Sequence, residues 1–558
     1  MEKQNVNPIF KTDQEQGAGK TTGRRIGAGD WLVLLILVVP SIYVFLTVPP
    51  LWRDSDGFNQ ISSTFAPKGI IHWLPGYCFF GRLIVIVAGI IGSLLQGKGL
   101  PYLSLGTPAL SDAGIYSLIV VQHLFLVFAL WYLIRALTDR FIFRLLFAAV
   151  FAMTPWMYIF ANCVGSEAFS NPLVILIAAV GWKCLNQRMR QVPKSASDSG
   201  ERHPEKTYVW SFFAVLLAAT LTRQVNNILA ALLPISLLIL WAARLIWPGN
   251  EISGSPSRNS YGRKFLVFTA VGILAIVGSI FVQKAMCLLF RVPYRSTLGQ
   301  TFEWRLSYLH SLSVSERTAI LEKISKELND PVISEALERL NRSLSNGDKW
   351  TDMFLFYAID EILVNSGVND PKIRTYQIDL KLNRIARSVL LSGEPHYLRA
   401  VWTDFSYIWT YSQADLANPP FILTDWLRTQ VDLPRYLRLK SLASFQHPEG
   451  YFEQIWKNHL YFHMFNGIPM FWFAAITIVL GAFALRTSAG LTAVAYSAAL
   501  IATAILISLA TCATSFAGAR FFLPVYSLLQ ISSMVVALVI WDRAIDTRIF
   551  VWRPKPLP

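Results

Sequence analysis

Asp54 and Asp56 lie in the stretch Trp52-Arg53-Asp54-Ser55-Asp56-Gly57-Phe58-Asn59-Gln60, directly after an apolar run from Trp31 to Pro50. Two carboxylates at the mouth of a membrane span are costly unless they stand in water or have a task. A spacing of two puts both on one side of an extended segment. A carboxylate there can take the proton from an acceptor hydroxyl. A divalent metal ion shared between the pair is an alternative, and a solvated loop beside a membrane anchor is another.

Cations complete the chemistry. Arg223 interrupts two apolar runs that otherwise read as one block, and Arg520 opens the last apolar run in Gly518-Ala519-Arg520-Phe521-Phe522-Leu523-Pro524. An arginine left unpaired near the bilayer core costs roughly 3 kcal/mol on insertion scales. Such a residue pairs with a carboxylate or binds an anion; an interfacial anchor is the plainer reading of each taken singly. With Asp54, Asp56, His72, Glu167 and Gln224, these two arginines form one polar set if all stand on one face. Transfer of a sugar from a lipid phosphate fits that set. The leaving group is already a phosphate, so a base for the acceptor and a cation for the departing charge suffice. The guanidinium fork suits phosphate oxygens. One displacement with one base inverts the sugar carbon.

The elements that must position these residues are membrane helices. The chain has 558 residues, 53% of them apolar and only 15% charged, with the apolar residues in long blocks. The net charge of +15 falls largely in short loops between those blocks, which is the pattern of topology rather than of nucleic-acid binding. Cys78, Cys163, Cys184, Cys287 and Cys512 are scattered without metal spacing and read as small buried apolar residues. Gly17-Ala18-Gly19-Lys20-Thr21-Thr22 has the look of a phosphate loop, but Gln14 stands where its first glycine belongs and no strand precedes it.

Taken in order, residues 1–30 read as a disordered cytoplasmic tail and Trp31–Pro50 as an uncleaved signal anchor. Residues 51–114 form a first outer loop in which Pro75–Leu95 is a helix in the interface, with a full span as the alternative. Spans follow over Ile115–Leu137, Leu145–Ala161, Pro172–Cys184, Tyr208–Leu221, Ile228–Trp247 and Phe265–Cys287, closing a transmembrane core of residues 31–287. Residues 288–465 form a mostly helical outer domain whose second half is rich in aromatics, for sugar stacking or for packing on the membrane. Residues 466–542 hold three further spans and 543–558 a cytoplasmic tail. This all-α polytopic arrangement of about ten transmembrane helices leaves every short basic loop on one side. It puts Glu167 on an outer turn and Gln224 in a short outer turn beside Arg223.

Asp54-Ser55-Asp56-Gly57-Phe58-Asn59, Glu167, Thr222-Arg223-Gln224 and Ala519-Arg520-Phe521-Phe522-Leu523-Pro524 together resemble the motifs of GT-C glycosyltransferases. That family includes protein O-mannosyltransferases, the aminoarabinose transferase acting on lipid A and the oligosaccharyltransferase catalytic subunit. Gln224 stands where the family usually has proline, and Phe521 replaces a tyrosine. The resemblance implies a polyprenyl-phosphate-sugar donor and a glycan, lipid or protein acceptor. It implies Asp56 or Asp54 as base, Arg223 and Arg520 at the donor phosphate, and Glu167, His72 and Gln224 in support. Family habit points to the bacterial inner membrane, with the site on the periplasmic face. Residues 288–465 match no family pattern. The rival classes are an O-antigen polymerase or ligase type of enzyme, which would use His310, His396, His447 or His463, and a lipid or sugar transporter.

Overall fold

The computed structural model describes residues 27–52, 60–61, 74–96, 111–186, 204–246, 258–296, 298–348, 353–411, 469–485, 488–515 and 519–546. Its membrane core contains α1 (Ala28–Thr47), α2 (Pro75–Leu95), α3 (Asp112–Leu137), α4 (Phe141–Ala152), α5 (Pro155–Ala161), α6 (Glu167–Asn186), α7 (Pro204–Thr222), α8 (Leu232–Ile246) and α9 (Arg258–Leu289). Two strands of two residues, β1 (Leu51–Trp52) and β2 (Cys163–Val164), pair in parallel. The outer domain holds α10 (Leu298–Arg305), α11 (Val314–Leu328), α12 (Pro331–Ser345), α13 (Phe354–Asn365), α14 (Pro371–Ser392) and α15 (Pro395–Ile408). The chain returns through α16 (Met470–Ala484), α17 (Ser488–Thr514) and α18 (Leu523–Asp546).

Among the described residues, eight helices are long and apolar enough to cross a membrane; α4 with α5 forms a bent pair, and Thr207–Thr222 and Met470–Ala484 are shorter apolar helices. The protein is an all-α polytopic membrane protein. The helices differ in what they face: α6 and α18 are mostly buried among neighbours, whereas α9 presents Leu266, Ile273, Leu274, Val277 and Phe281 outward. Without water to compete, apolar side chains on such a helix are stable against lipid. All five cysteines are free and buried.

The two ends of the bundle differ chemically. At one end Arg144 bonds to Asp30 at 2.8 Å, to Asp139 at 3.2 Å and to the Thr138 carbonyl at 3.0 Å. Lys183 stands over the Tyr132 ring at the same end, 4.1 Å from its centroid. This is the basic end. Val48, Asn162, Glu167 and Thr222 mark the opposite end. Removing one partner of a buried pair strands the other charge and costs about 3 kcal/mol or more. Arg144→Leu is therefore expected to lower the unfolding midpoint in detergent clearly, and Asp30→Asn to lower it less.

Helix α2 is apolar and long enough to span, yet its neighbours lie at the opposite end alone. Gly76 in its first turn abuts the Leu221 carbonyl so closely that a Cβ would sit 2.7 Å from it, and Gly92 near its other end lies against Ala113. Both Leu221 and Ala113 belong to helix ends remote from Arg144. Counting the bent pair as one span brings the candidate spans among the described residues to nine, α2 included.

The sequence reading needs three corrections. Leu145–Ala161 is not one straight helix: the chain bends by 67° between α4 and α5, where Pro155 supplies no N–H to the preceding turn and Thr154 bonds back to Val150. Glu167 is not on a turn but is the first residue of α6. Gln224–Ala231 is not a short turn but a 3₁₀ helix leading into α8.

In the outer domain, Phe302, Leu309, Leu337, Leu340, Ile359, Ile378 and Leu382 form a separate apolar core. Capping by Ser313, Asp330, Asp370 and Glu394 starts successive helices there. Tyr397 donates to the Ala513 carbonyl at 2.8 Å, and Phe405, Trp409 and Tyr411 pack on the membrane core, Tyr411 against Phe522. Those aromatics are packing surfaces. The others in 412–468 lie outside the described residues.

Candidate functional site

Asp54, Asp56 and His72 lie outside the described residues, and so does the side chain of Arg520. What surrounds the acidic stretch is described. Pro49 and Pro50 end α1 and supply no backbone donors. Asn162 takes the carbonyls left at that end: its amide donates to Val48 O at 2.9 Å and to Pro49 O at 3.0 Å. Leu51 N–H donates in turn to the Asn162 carbonyl at 3.0 Å. Leu51 then pairs with Cys163 and Trp52 with Val164. Beyond the stretch, the Gln60 side-chain oxygen accepts the Ser166 N–H at 2.9 Å, and the Ile61 carbonyl accepts from Arg82. Trp52 and Gln60, the residues flanking 53–59, are thus both held on the short segment that leads into Glu167.

That segment is itself supported from α3. Gln122 donates to the Ala161 and Cys163 carbonyls, both at 2.9 Å, and accepts from the Tyr77 hydroxyl at 3.0 Å. His123, next along α3, faces the Asn162 side-chain oxygen at 3.5 Å. Gln122 is fully buried. Gln122→Leu would remove three buried hydrogen bonds at once, at about 2–4 kcal/mol in total. Its expected result is a lower unfolding midpoint in detergent together with faster proteolysis of the 51–61 region.

The Glu167 carboxylate is buried and 3.2 Å from Arg223 Nη1. Two charges out of water hold together only as a pair. The Arg223 guanidinium also stands over the Phe521 ring, 5.6 Å from its centroid. Phe521 belongs to the 3₁₀ turn Ala519–Phe522, whose backbone includes Arg520. The Arg223 turn is braced by Asn226, which bonds to the Ser170 hydroxyl at 3.0 Å and donates to the Ala219 carbonyl at 2.8 Å. Ser170 lies one turn after Glu167 on α6. Gln224 donates to the Ser296 carbonyl at 3.3 Å, toward the outer domain.

Of the residues singled out by sequence, Glu167, Arg223, Gln224 and the Arg520 backbone stand at this one end. A guanidinium carries five donors, enough to serve Glu167 and an anion together. Sequence reasoning missed Gln122, Asn162, Asn226 and Gln60. Gln122-His123 inside an apolar span was the available signal, since polar side chains at that depth are rare unless they bond. Among the described residues no group of three His, Cys, Asp or Glu stands close enough to hold a metal ion.

No family model matches the chain, and no curated protein matches it. Three solved structures of the oligosaccharyltransferase of Archaeoglobus fulgidus are similar to it. The complex with an inhibitory peptide and a dolichol-phosphate has a TM-score of 0.41 at 11% identity, over 95% of this chain and 52% of that one. The apo form has a TM-score of 0.42 at 11% identity, over 96% and 53%. The form tethered to an acceptor peptide has a TM-score of 0.41 at 10% identity, over 95% and 52%. The chain spans about half the length of these proteins. At these scores the likeness carries no weight on activity.

Proposed function

We propose that the protein is a GT-C-type glycosyltransferase. It moves a sugar from a polyprenyl-phosphate donor to an acceptor hydroxyl on a glycan, lipid or protein. Asp56 or Asp54 takes the acceptor proton in an inverting displacement, and Arg223 and Arg520 meet the donor phosphate. One observation supports this above the others. Both flanks of the acidic stretch, Trp52 and Gln60, are fixed beside Glu167, and Glu167 pairs with an arginine that packs on the turn containing Arg520. Residues far apart in sequence thereby share one end of the bundle, away from the basic end.

The positive-inside rule supports a cytoplasmic basic end and a site on the outer face of the membrane; the bacterial inner membrane, with a periplasmic outer face, is the setting that family habit suggests. Helix α2 then lies along that outer interface, with Phe80, Leu83, Val87 and Ile91 turned to lipid. Glu167 holds the Arg223 fork in one orientation, so it costs no reorganisation as charge grows on the leaving phosphate.

The test is mass spectrometry of lipopolysaccharide and envelope glycans from cells with and without the gene. A sugar missing without the gene and restored by it is the expected result. An unchanged glycan profile, with sugar or lipid uptake by vesicles that depends on the protein, would replace the enzyme by a transporter.

A further inference from the structure

The link between α9 and α10 is gripped from two sides at Ser296. From the membrane core, Gln224 donates to its carbonyl at 3.3 Å. From the outer domain, Asp379 accepts its N–H at 3.3 Å, and Asn383 accepts its hydroxyl at 2.8 Å. Asn383 also accepts the Gly299 N–H at 2.8 Å and donates to Asp379 at 3.0 Å. Asp379 and Asn383 are one turn apart, so a single face of α14 makes every one of these bonds.

The approach is tight. A Cβ on Gly299 would lie 2.4 Å from the Leu382 carbonyl carbon and the Asn383 nitrogen, so only glycine fits. Arg295 completes the junction: it is almost fully buried, with Nη2 3.7 Å from Asp379 Oδ1. Burial pushes its guanidinium below the usual arginine range, and Asp379 opposes that shift. A buried charged cluster of this kind adds little net stability but admits few alternative arrangements.

We propose that Asp379 and Asn383 are positioning residues: through Ser296 they hold Gln224, and with it the turn that presents Arg223, so the outer domain aligns the donor-phosphate site. This rests on the reading of Arg223 given above. The bond chain runs from α14 to the residue adjoining Arg223 without a gap, and Arg223 in turn reaches Glu167. Loosening α14 at this face slackens the turn at Gln224, while Asn226 and the Glu167 pair still tie it to α6 and α7.

The test is amide hydrogen exchange on the full-length protein in lipid nanodiscs, with sugar transfer measured on the same variants. Asn383→Ala is expected to raise exchange across Gln224–Ala231 about fivefold, the effect of one hydrogen bond, while α12 and α13 keep their protection. In a Gln224→Leu background the same substitution adds nothing further there. Transfer falls by a similar factor in Asn383→Ala and no further in the double variant. Unchanged exchange at 224–231, an equal rise in both backgrounds, or full transfer by Asn383→Ala overturns the proposal. If Asn383→Ala also opens α12 and α13, Ser296→Ala removes the hydroxyl's bonds to Asn383 and from the Leu298 N–H while α14 keeps its own side chains; a rise confined to 224–231 supports the link, and no rise there overturns it. The exchange readout needs neither donor nor turnover, so it stands apart from failure of the glycosyltransferase reading itself.

Discussion

Converting Asp54 and Asp56 together to asparagine is expected to lower sugar transfer by about 10²–10⁴-fold, the usual contribution of a positioned general base. Asparagine keeps the size and hydrogen-bonding outline of the carboxylate but cannot accept the proton at neutral pH. The flanking residues Trp52 and Gln60 bond through backbone and amide atoms that these changes do not touch. Expression and unfolding midpoint should therefore stay near the parent values. The single variants then identify the base: the one that loses nearly as much as the pair carries it. Alignment of Asp56-Gly57-Phe58 with the family motif points to Asp56, and alignment on an Asp-acid-x-x-aromatic motif points to Asp54. Transfer retained by the double variant, measured on cell-envelope glycans, would exclude a first-loop base. Loss on changing His310, His396, His447 or His463 instead would favour the polymerase or ligase class.

Replacing Arg223 by methionine is expected to act twice. It leaves the Glu167 carboxylate buried without this guanidinium, and breaking a buried pair from one side costs about 3–5 kcal/mol. On the proposed reading it also removes a cation that would face the leaving phosphate, worth about 10²–10³ in rate by comparison with other fixed charge-stabilising donors. Glu167→Gln in the same chain separates the two effects. The double variant should recover most of the unfolding midpoint, since neither charge then remains, while transfer stays low. Arg223→Lys should keep more stability than methionine but still transfer poorly, because an ammonium lacks the fork that serves Glu167 and a phosphate together. Recovery of transfer in the double variant would make the pair a structural one only.

Much of this arrangement was legible from residue types. Arg223, standing alone in an apolar block, called for an interfacial anchor or an anionic partner, and its position at a helix end limited which carboxylates could reach it. Glu167 was visible as a candidate by the same logic. Its environment was not: an acid between apolar runs reads as a solvated turn, yet it opens α6 and is buried. The break at Thr154-Pro155 was written in the proline, but whether a proline kinks a span or ends it depends on what packs around it. The Gln122 amide gave a weak signal, because a single buried polar residue names no partner until a neighbouring chain supplies one.

The sequence by itself determined the class of molecule: long apolar runs belong in or against a membrane, basic loops favour one side, and isolated ionisable residues at the far ends of those runs gather on the other. These are local consequences of transfer energies, and they hold whatever the neighbours are. Only the tertiary structure decided which residues answer which. The pairing of β1 with β2, the Glu167–Arg223 contact and the grip of α14 on Ser296 join residues far apart along the chain. Such contacts form when helices pack, and helix packing depends on shape summed over whole faces, which no single stretch of sequence contains.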